Sequence, residues 1–332
     1  MHTTVSVEVA SILESEPAPA AAFQGLAWAS RRLLSLEHHT PPDSARSFHR
    51  VVSIVHDLCD ALIDAEAAGC THEELRDATR LARDLHGTSP FIKRLQNWPR
   101  GYPGDFETIE WLCQAHNRAV PGTLGSALEA YALASAIAQQ HRNKVLFQAD
   151  CLREVMARKP DCRVLSLACG SSPDLRAVAD HVPLSSRIVL CDWDAEALCY
   201  SRAQLLPIAD RCELVKGMVP KVLRQVRAHG PFDLILAGGL FDYLSDRAIV
   251  RTLSEAWTSM LAPGGCIVFT NIARGNPFRV WLEYLADWRL IERTEDDIVN
   301  LCGLGGINVA PTLVRDATGL AILATVRRGH HS

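Results

Sequence analysis

A glycine-containing turn and an acidic residue lie about 20 residues apart in the second half of the chain. The stretch RVLSLACGSSPDL, residues 163–175, joins a short apolar run to Gly170 and small residues, which is typical of a buried strand that turns into a helix. The next apolar run, RIVLCD, ends in Asp192. Glycine lets a ligand approach the backbone, and a carboxylate at the end of the second strand accepts both hydroxyls of a ribose. The spacing indicates a nucleoside site, although an ordinary strand–helix turn explains Gly170 equally well.

The residues around Asp192 also allow a structural interpretation. Trp193 offers an apolar face to a base, whereas Asp194 is suited to cap the helix that begins after it. Both functions are compatible because two acidic residues are present. Gly217 ends the run CELVKG and Met218 follows it, where an adenine edge would be covered, and a loop glycine is the plainer interpretation.

A fourth strand end carries a glycine pair and two aromatic residues. In the stretch PFDLILAGGLFDYL, Gly238 and Gly239 interrupt the apolar run, and Phe241, Asp242 and Tyr243 follow. Small residues beside aromatic rings and a carboxylate suit the floor of a cofactor and substrate pocket. The sequence then continues through MLAPGGCIVF, a Pro-Gly-Gly turn before a fifth apolar run.

The elements that must position these residues alternate between strand and helix patterns. The predicted strands are 163–168, 187–192, 212–217, 232–238 and 266–271. The predicted helices between and after them are 173–181, 195–205, 219–228, 246–260 and 277–288. Such alternation predicts an α/β fold with a doubly wound parallel sheet. The final stretch reads as a β-hairpin with Asp316 and Gly319 in its turn, which makes the last strand antiparallel.

The first part of the chain has helical periodicity. In THEELRDATRLARDLHG, Thr71 and Glu74 form a capping-box pattern and Gly87 provides a stop. We therefore predict an N-terminal helical domain at 1–140, which would act as a substrate or lid domain, and a Rossmann-like ligand-binding domain at 141–332.

Composition excludes several classes of function. The formal net charge is −4, which gives no electrostatic footprint for nucleic acid. The sequence contains no run of about 18 apolar residues, so it predicts no membrane span.

The 11 cysteines are scattered without a CxxC pair, and the N-terminal stretch lacks a signal-peptide pattern, so we expect reduced thiols and a cytoplasmic location. The expected partner is a small-molecule substrate, and a homodimer is the assembly considered.

The ordered set VLSLACGSS, IVLCDWD, ELVKGM, FDLILAGGLFDYL and LAPGGCIVF resembles the class I S-adenosylmethionine-dependent methyltransferases over residues 140–327. The resemblance implies S-adenosylmethionine as cofactor, S-adenosylhomocysteine as product and no metal. The chain departs from the usual pattern at Ser166, where an acidic residue is common, at Ala168 and Ser172, where glycines are common, and at Met218, where an acidic residue is common. The expected cofactor contacts at the strand ends are Ala168, Gly170, Asp192, Trp193, Gly217, Met218, Gly238, Gly239 and Phe241.

A narrower resemblance begins at PRGYPGDFETIEWL, residues 99–112. Together with ACGSSPD, GGLFDYL and NPFRVWLEYLADWRLIERTEDDI, it is similar to a bacterial subfamily that includes enzymes making 3-hydroxy fatty acid methyl esters, a class of extracellular signal. This similarity implies the carboxylate of a 3-hydroxy fatty acid as the methyl acceptor. The Ala- and Leu-rich helices at 123–150 would line an acyl channel or simply pack on each other.

The loop RGYPGDFE combines glycine and proline with several charged or aromatic side chains. We expect it to fold over the cofactor as a lid, with Arg100 on the methionine carboxylate and Asp105 on the methionine ammonium. The alternative is a capped helix start with Asp105 at the N-cap. The expected catalytic or acceptor-binding residues are Tyr102, Tyr243, Glu283 and Tyr284.

The expected reaction is in-line displacement at the sulfonium methyl group, in which the protein mainly positions the reactants and excludes water. A carboxylate acceptor needs no base, whereas a hydroxyl or protonated amine does. N- or O-methylation of a small polar natural-product intermediate is the alternative. A non-catalytic nucleoside-binding scaffold and a dinucleotide-dependent oxidoreductase are the remaining hypotheses, and the second lacks a full G-x-G-x-x-G pattern.

Overall fold

A computed structural model describes residues 18–38 and 44–329. In these two stretches no helix is both long enough and apolar enough to cross a membrane. The described residues form two compact units. The helical unit comprises 18–38, 44–96, Ala119–Tyr131 and Val280–Asp287, and the sheet unit comprises Asn97–Arg118, Ala132–Arg279 and 288–329. Both units draw on separate segments of the chain, and the boundary between 140 and 141 stays a prediction.

The α-helices follow one another along the chain with short 3₁₀ turns between several of them. Their bounds are α1 (Ala18–His38), α2 (Ser44–Ala67), α3 (His72–Ala78), α4 (Arg80–His86), α5 (Pro90–Asn97), α6 (Phe106–Gln114), α7 (Leu124–Ala134), α8 (Ala136–Arg158), α9 (Pro173–Arg176), α10 (Ala195–Gln204), α11 (Leu223–Val226), α12 (Asp246–Glu255), α13 (Arg279–Leu285) and α14 (Glu295–Leu304).

The strands form one mixed sheet. Their bounds are β1 (Arg163–Leu167), β2 (Arg187–Asp192), β3 (Cys212–Lys216), β4 (Phe232–Ala237), β5 (Leu261–Ile272), β6 (Thr312–Arg315) and β7 (Ala321–Arg327). The spatial order is β3-β2-β1-β4-β5-β7-β6, with β1 to β5 parallel and β7 antiparallel to both β5 and β6. The predicted Rossmann-like α/β fold with antiparallel last strands is confirmed.

The strand order reverses between β1 and β4, which is where such sheets bind ligands. From β1 the chain moves outward to β2 and β3, and it then returns to place β4 on the other side of β1. Both central strands are buried apart from Arg163 at the start of β1, and they are apolar apart from Arg163, Ser166 and Asp233. Ser166 of β1 pairs in register with Leu190 of β2 and Leu236 of β4, so these strands end at the same edge.

Local signals in the sequence account for several element boundaries. Thr71 and Glu74 form the predicted capping box at the start of α3, and Gly87 caps α4. In contrast, β5 begins at Leu261, earlier than the expected run 266–271. The pairing of β4 with β5 shifts register between Phe232 and Leu234, and this irregularity accommodates the Pro-Gly-Gly segment inside the strand instead of before it.

A buried carboxylate organises the β6–β7 hairpin. Asp316 is 7% exposed and accepts hydrogen bonds from the backbone N–H groups of Thr318, Leu320 and Ala321. Its Oδ2 also accepts a 2.7 Å hydrogen bond from Nδ2 of Asn143 in α8. Burial alone would raise the pKa of Asp316, but these donors hold it below its ordinary value. The turn is thereby tied to the helix that precedes β1.

We expect Asp316→Ala to lower the free energy of unfolding by about 2–3 kcal/mol, because it leaves several buried N–H donors without an acceptor. Urea denaturation of the variant measures the loss. Asp161→Ala, which removes an exposed carboxylate before β1, is the matched control and should change stability by less than about 0.5 kcal/mol. Equal stability of the two variants would contradict the role assigned to Asp316.

Candidate active site

A cavity of about 370 Å³ lies in the sheet unit at the carboxyl ends of β1 to β4. It is lined by the loop before α6, the start of α6, one face of α8 and the segments that follow these strands. The lining residues that carry the argument below are Tyr102, His141, Lys144, Gln148, Ser166, Ala168, Gly170, Asp174, Asp192, Trp193, Gly217, Met218, Gly238, Gly239, Asp242 and Tyr243. Among the residues described, no group of three or more His, Cys, Asp or Glu side chains is placed to hold a metal ion.

Asp192 connects the end of β2 to the turn after β1. Its Oδ2 accepts a 2.8 Å hydrogen bond from the backbone N–H of Gly170, and Oδ1 accepts one of 2.9 Å from that of Asp194. The carboxylate is 6% exposed, and burial raises its pKa above the ordinary value although these N–H donors oppose the rise. The carboxylate also lines the cavity. The vicinal hydroxyls of a ribose fit this carboxylate.

Apolar surface flanks Asp192 on the side of β3. Trp193 is 44% exposed and Met218 is 53% exposed, and both line the cavity. Exposed apolar side chains of this size at a pocket wall are suited to cover a flat base. The residues present at the ends of β2 and β3 therefore fit the nucleoside half of the cofactor implied by the sequence.

The turn after β1 has a left-handed backbone at one glycine and at two residues that are not glycine. Ala168, Gly170 and Ser172 have φ angles of +51°, +53° and +52°. This left-handed conformation costs an L-residue other than glycine roughly 1–2 kcal/mol. Ala168, which lines the cavity, and Ser172 therefore hold backbone strain in this turn.

Gly238 allows α8 to approach the end of β4. A Cβ atom on this glycine would lie 2.1 Å from Oε1 of Gln148 and 2.3 Å from its Nε2. The Gln148 side chain is held in turn by a 3.1 Å hydrogen bond from Nε2 to the carbonyl of Lys144. A side chain at residue 238 would therefore displace Gln148 from the cavity wall.

The loop before α6 is fixed by ion pairs to the segment after β2. The Arg100 guanidinium donates to both carboxylate oxygens of Asp194 at 2.7 and 3.0 Å and to Glu196 at 2.9 Å. These bonds lower the pKa of Asp194 to about 2. The Tyr102 hydroxyl donates to Asp194 at 3.0 Å, and its ring lies edge-on to Trp193 with centroids 4.7 Å apart. The loop is thus held beside the expected nucleoside position.

Glu110 of α6 holds the turn after β1 from the other side. It is 6% exposed and accepts hydrogen bonds from Ser171, Arg176 and Tyr200. Four segments of the chain therefore meet at one carboxylate. Because Ser171 belongs to the turn itself, this network orients the turn relative to α6.

The α8 and β4 sides of the cavity carry a buried ion pair. Nζ of Lys144 donates to Oδ2 of Asp242 at 2.7 Å, and their side chains are 4% and 1% exposed. The other Asp242 oxygen accepts a 2.6 Å hydrogen bond from the backbone N–H of Ile272 in β5. The charge of Lys144 is therefore fully matched within the wall.

His141 lies one turn before Lys144 on the same face of α8. Its ring stacks on that of Trp288 with a centroid distance of 5.2 Å and an interplanar angle of 22°. The Trp288 Nε1 donates a 2.8 Å hydrogen bond to the hydroxyl of Tyr243. Burial, together with the positive charges of Lys144 and Arg142, lowers the pKa of His141 well below its ordinary value. The cavity is therefore lined by a neutral imidazole at neutral pH.

Most of the residues expected to form the site line this one cavity. They are Tyr102, Ala168, Gly170, Asp192, Trp193, Gly217, Met218, Gly238, Gly239 and Tyr243.

The other expected site residues lie outside the cavity lining. Arg100 pairs with acidic side chains, Asp105 is 1% exposed and caps α6 by accepting from Thr108 N–H, and Phe241 is buried against Phe269. Their predicted contacts with the cofactor stay predictions.

Glu283 and Tyr284 belong to the helical unit. There Tyr284 is 2% exposed and donates a 2.9 Å hydrogen bond to Glu66. Their predicted catalytic roles also stay predictions.

The cavity is also lined by polar residues that were not among the expected site residues, namely His141, Lys144, Gln148 and Asp174, and by Asp242, which the sequence placed at the floor of the pocket. Those on α8 recur at positions i, i+3 and i+7, which places them on one helix face. About half of the residues of α8 are polar, so its pattern carried no signal that singles out this face.

Comparison with known proteins adds a family match for the strand region. Residues 164–265, which run from β1 into β5, match the model of a family described as a methyltransferase domain. No curated protein matches the chain significantly by sequence.

The chain aligns with several solved structures. A protein from Bordetella parapertussis, described as a possible exported protein, aligns with a TM-score of 0.58 and 17% identity over 94% of this chain and 97% of that one. The N-methyltransferase NodS from Bradyrhizobium japonicum, in complex with S-adenosylhomocysteine, has a TM-score of 0.40 and 17% identity over 57% of this chain and 87% of that one. An O-methyltransferase family protein from Burkholderia thailandensis has a TM-score of 0.41 and 15% identity over 61% and 63%. The first of these supports the fold over nearly the whole chain.

We expect Ala168→Gly to raise the free energy of unfolding by about 0.5–1 kcal/mol, because glycine removes the cost of the left-handed backbone and its greater unfolded-state entropy offsets only part of the gain. Urea denaturation measures the change. Ala203→Gly, at an exposed position of α10, is the control and should lose about 0.5–1 kcal/mol. A loss of stability in Ala168→Gly equal to that of the control would refute the strain.

We expect Asp192→Ala to weaken binding of S-adenosylhomocysteine by about 1.5–3 kcal/mol, the range for hydrogen bonds to a charged group. Isothermal titration calorimetry on purified protein measures the affinity, after removal of any ligand that co-purifies. Asp180→Ala removes an exposed carboxylate between β1 and β2 and should bind like wild type. An unchanged affinity for Asp192→Ala would place the ribose contact elsewhere.

Proposed function

We propose that this chain, a class I S-adenosylmethionine-dependent methyltransferase, methylates a hydroxyl or amine nitrogen of a compact small molecule. The observation that carries the choice of acceptor is the neutral imidazole of His141 in the cavity wall, which Trp288 links to Tyr243. A carboxylate acceptor would have no use for a base at this position.

Asp192 would hold the ribose, and Trp193 and Met218 would cover the adenine. The bound cofactor would supply an electrophilic methyl group on a sulfonium. The residues of the chain orient the two reactants and keep water out, because the expected chemistry is a single displacement in line with the departing sulfur.

The size and lining of the cavity support a compact acceptor. Its volume of about 370 Å³ is near the lower end of the range for pockets that enclose one drug-sized ligand, and the cofactor must occupy part of it. In the region 123–150, the residues that line it are His141, Lys144, Val145 and Gln148. Three of these four side chains are polar, so the helices at 123–150 do not supply the continuous apolar wall that an acyl channel needs.

His141 is suited to accept the proton of a hydroxyl or amine. A neutral imidazole has one ring nitrogen with a free lone pair, and stacking on Trp288 fixes the orientation of the ring. Lys144 cannot compete for the proton because Asp242 already holds its ammonium group. The Tyr243 hydroxyl, which accepts from Trp288, can donate its own proton to an acceptor oxygen or nitrogen lone pair.

Turnover of a small-molecule extract tests the function. Purified protein is incubated with methyl-deuterated S-adenosylmethionine and fractions of a bacterial extract, and mass spectrometry detects deuterated products and S-adenosylhomocysteine. The expected product carries the label on a hydroxyl oxygen or an amine nitrogen. 3-Hydroxypalmitate and homologues of other chain length are tested in parallel. Formation of a fatty acid methyl ester would replace the proposed acceptor class, and no turnover in any arm would favour the scaffold hypothesis.

We expect His141→Asn to lower the turnover of the identified acceptor by a factor of about 100 or more, the range for loss of a general base. Binding of S-adenosylhomocysteine should be unchanged, since the ribose and adenine contacts remain. In the wild type, activity should fall only below the ordinary pKa of histidine, because protonation of His141 removes the base and its pKa is lowered.

His181→Asn, which changes an exposed histidine after α9, is the control for this variant and should behave like wild type. Wild-type turnover in His141→Asn, with the same acid limb in its pH profile, would refute the assignment of the base.

A further inference from the structure

We infer that Asp174, in the first turn of α9, binds the amino group of the cofactor's methionine moiety. The inference rests on the proposed cofactor chemistry and concerns the position at which the chain departs most from the usual motif. Ser166 stands at the end of β1 where an acidic residue is common, and it provides no negative charge.

The strand order determines where the amino group must lie. The nucleoside is placed at the ends of β3 and β2 by Met218, Trp193 and Asp192, and the next strands across the edge are β1 and then β4. Neighbouring strands are about 4.8 Å apart, so an extended molecule that starts at β3 crosses β1 within its own length. The methionine end therefore lies over β1 and β4, where Asp174 lines the cavity.

Asp174 is a buried carboxylate without a cation of its own. It is 5% exposed, and among the described residues no lysine, arginine or histidine forms an ion pair with it. Arg176, two residues later, is directed to Glu110. Backbone N–H groups at the start of its own helix are the donors that reach Asp174. Its negative charge is thus available to a ligand in the cavity.

The other acidic groups near this end are already engaged. Asp242 pairs with Lys144, and Asp105 is directed to the start of α6 and does not line the cavity. Asp192 lies on the β2 side with the ribose. A primary ammonium group needs hydrogen-bond acceptors and a compensating charge when it leaves water, and Asp174 is the remaining carboxylate that offers both.

The charge state of Asp174 agrees with this role. Loss of hydration raises its pKa to about 6, which is the cost of holding a carboxylate in the wall without a partner. An ammonium group at hydrogen-bond distance would restore the balance of charge. The alternative, a purely structural carboxylate at the start of a short helix, predicts no dependence of its effect on the ligand's amino group.

The test compares two ligands that differ at one position. S-Adenosylhomocysteine and its deamino analogue, in which hydrogen replaces the amino group, are titrated calorimetrically into the wild type and into Asp174→Asn. We expect the wild type to bind S-adenosylhomocysteine about 10–100-fold more tightly than the analogue, as for a charge-assisted hydrogen bond. In Asp174→Asn this preference should fall below about threefold, with affinity for the analogue retained.

Asp180→Asn is the matched control and should keep the full preference of the wild type. Asp174→Ser serves as a second variant of smaller volume, and thermal melting verifies that both variants are folded. An undiminished preference in the Asp174 variants overturns the inference and leaves the proposed function intact. Equal weakening of both ligands assigns Asp174 a structural role and also overturns it. A wild-type protein that binds neither ligand overturns the proposed function itself.

Discussion

The buried ion pair between Lys144 and Asp242 is the interaction on which the arrangement of the site depends. Two charges that are almost wholly removed from water are tolerated only when they are paired and further hydrogen-bonded, and Asp242 meets this condition through the N–H of Ile272. The pair therefore locks α8, the turn after β4 and strand β5 into one arrangement. His141 and Gln148 lie on the same helix and Tyr243 follows Asp242, so this pair also sets the acceptor end of the cavity.

Two further buried groups hold the cavity walls from behind. Arg293 is 3% exposed and donates to the carbonyls of Phe241 and Leu244 and to the side chain of Asn271. It thereby fixes both ends of the turn that carries Asp242. On the opposite side, Glu110 of α6 accepts hydrogen bonds from the turn after β1, from α9 and from α10. These contacts preorganise the walls, which is what a methyltransferase requires when positioning and exclusion of water supply most of its rate enhancement.

The architecture and the grouping of the residues expected to hold a nucleoside were predictable because their signals are local. Apolar runs of strand length that alternate with helical patterns predict a parallel sheet, and the carboxyl ends of such strands meet at one edge whatever the details of packing. Gly170, Asp192, Trp193 and Met218 could therefore be placed together before any contact was known. The hairpin turn at Asp316 and the cap at Thr71 follow equally from residue types at fixed spacing.

The residue pattern was thus sufficient to predict the fold, the cofactor class and the edge of the sheet at which the cavity lies. Tertiary structure alone decided which side chains are engaged elsewhere and which remain available. Arg100 forms an ion pair with Asp194, and Lys144 forms one with Asp242, which is 98 residues away in the sequence. Asp174 is left with no ion-pair partner among the described residues. The physical reason is that periodicity follows from local hydrogen bonding and burial, whereas the partner of a charge depends on which distant groups the fold brings within a few ångströms of it.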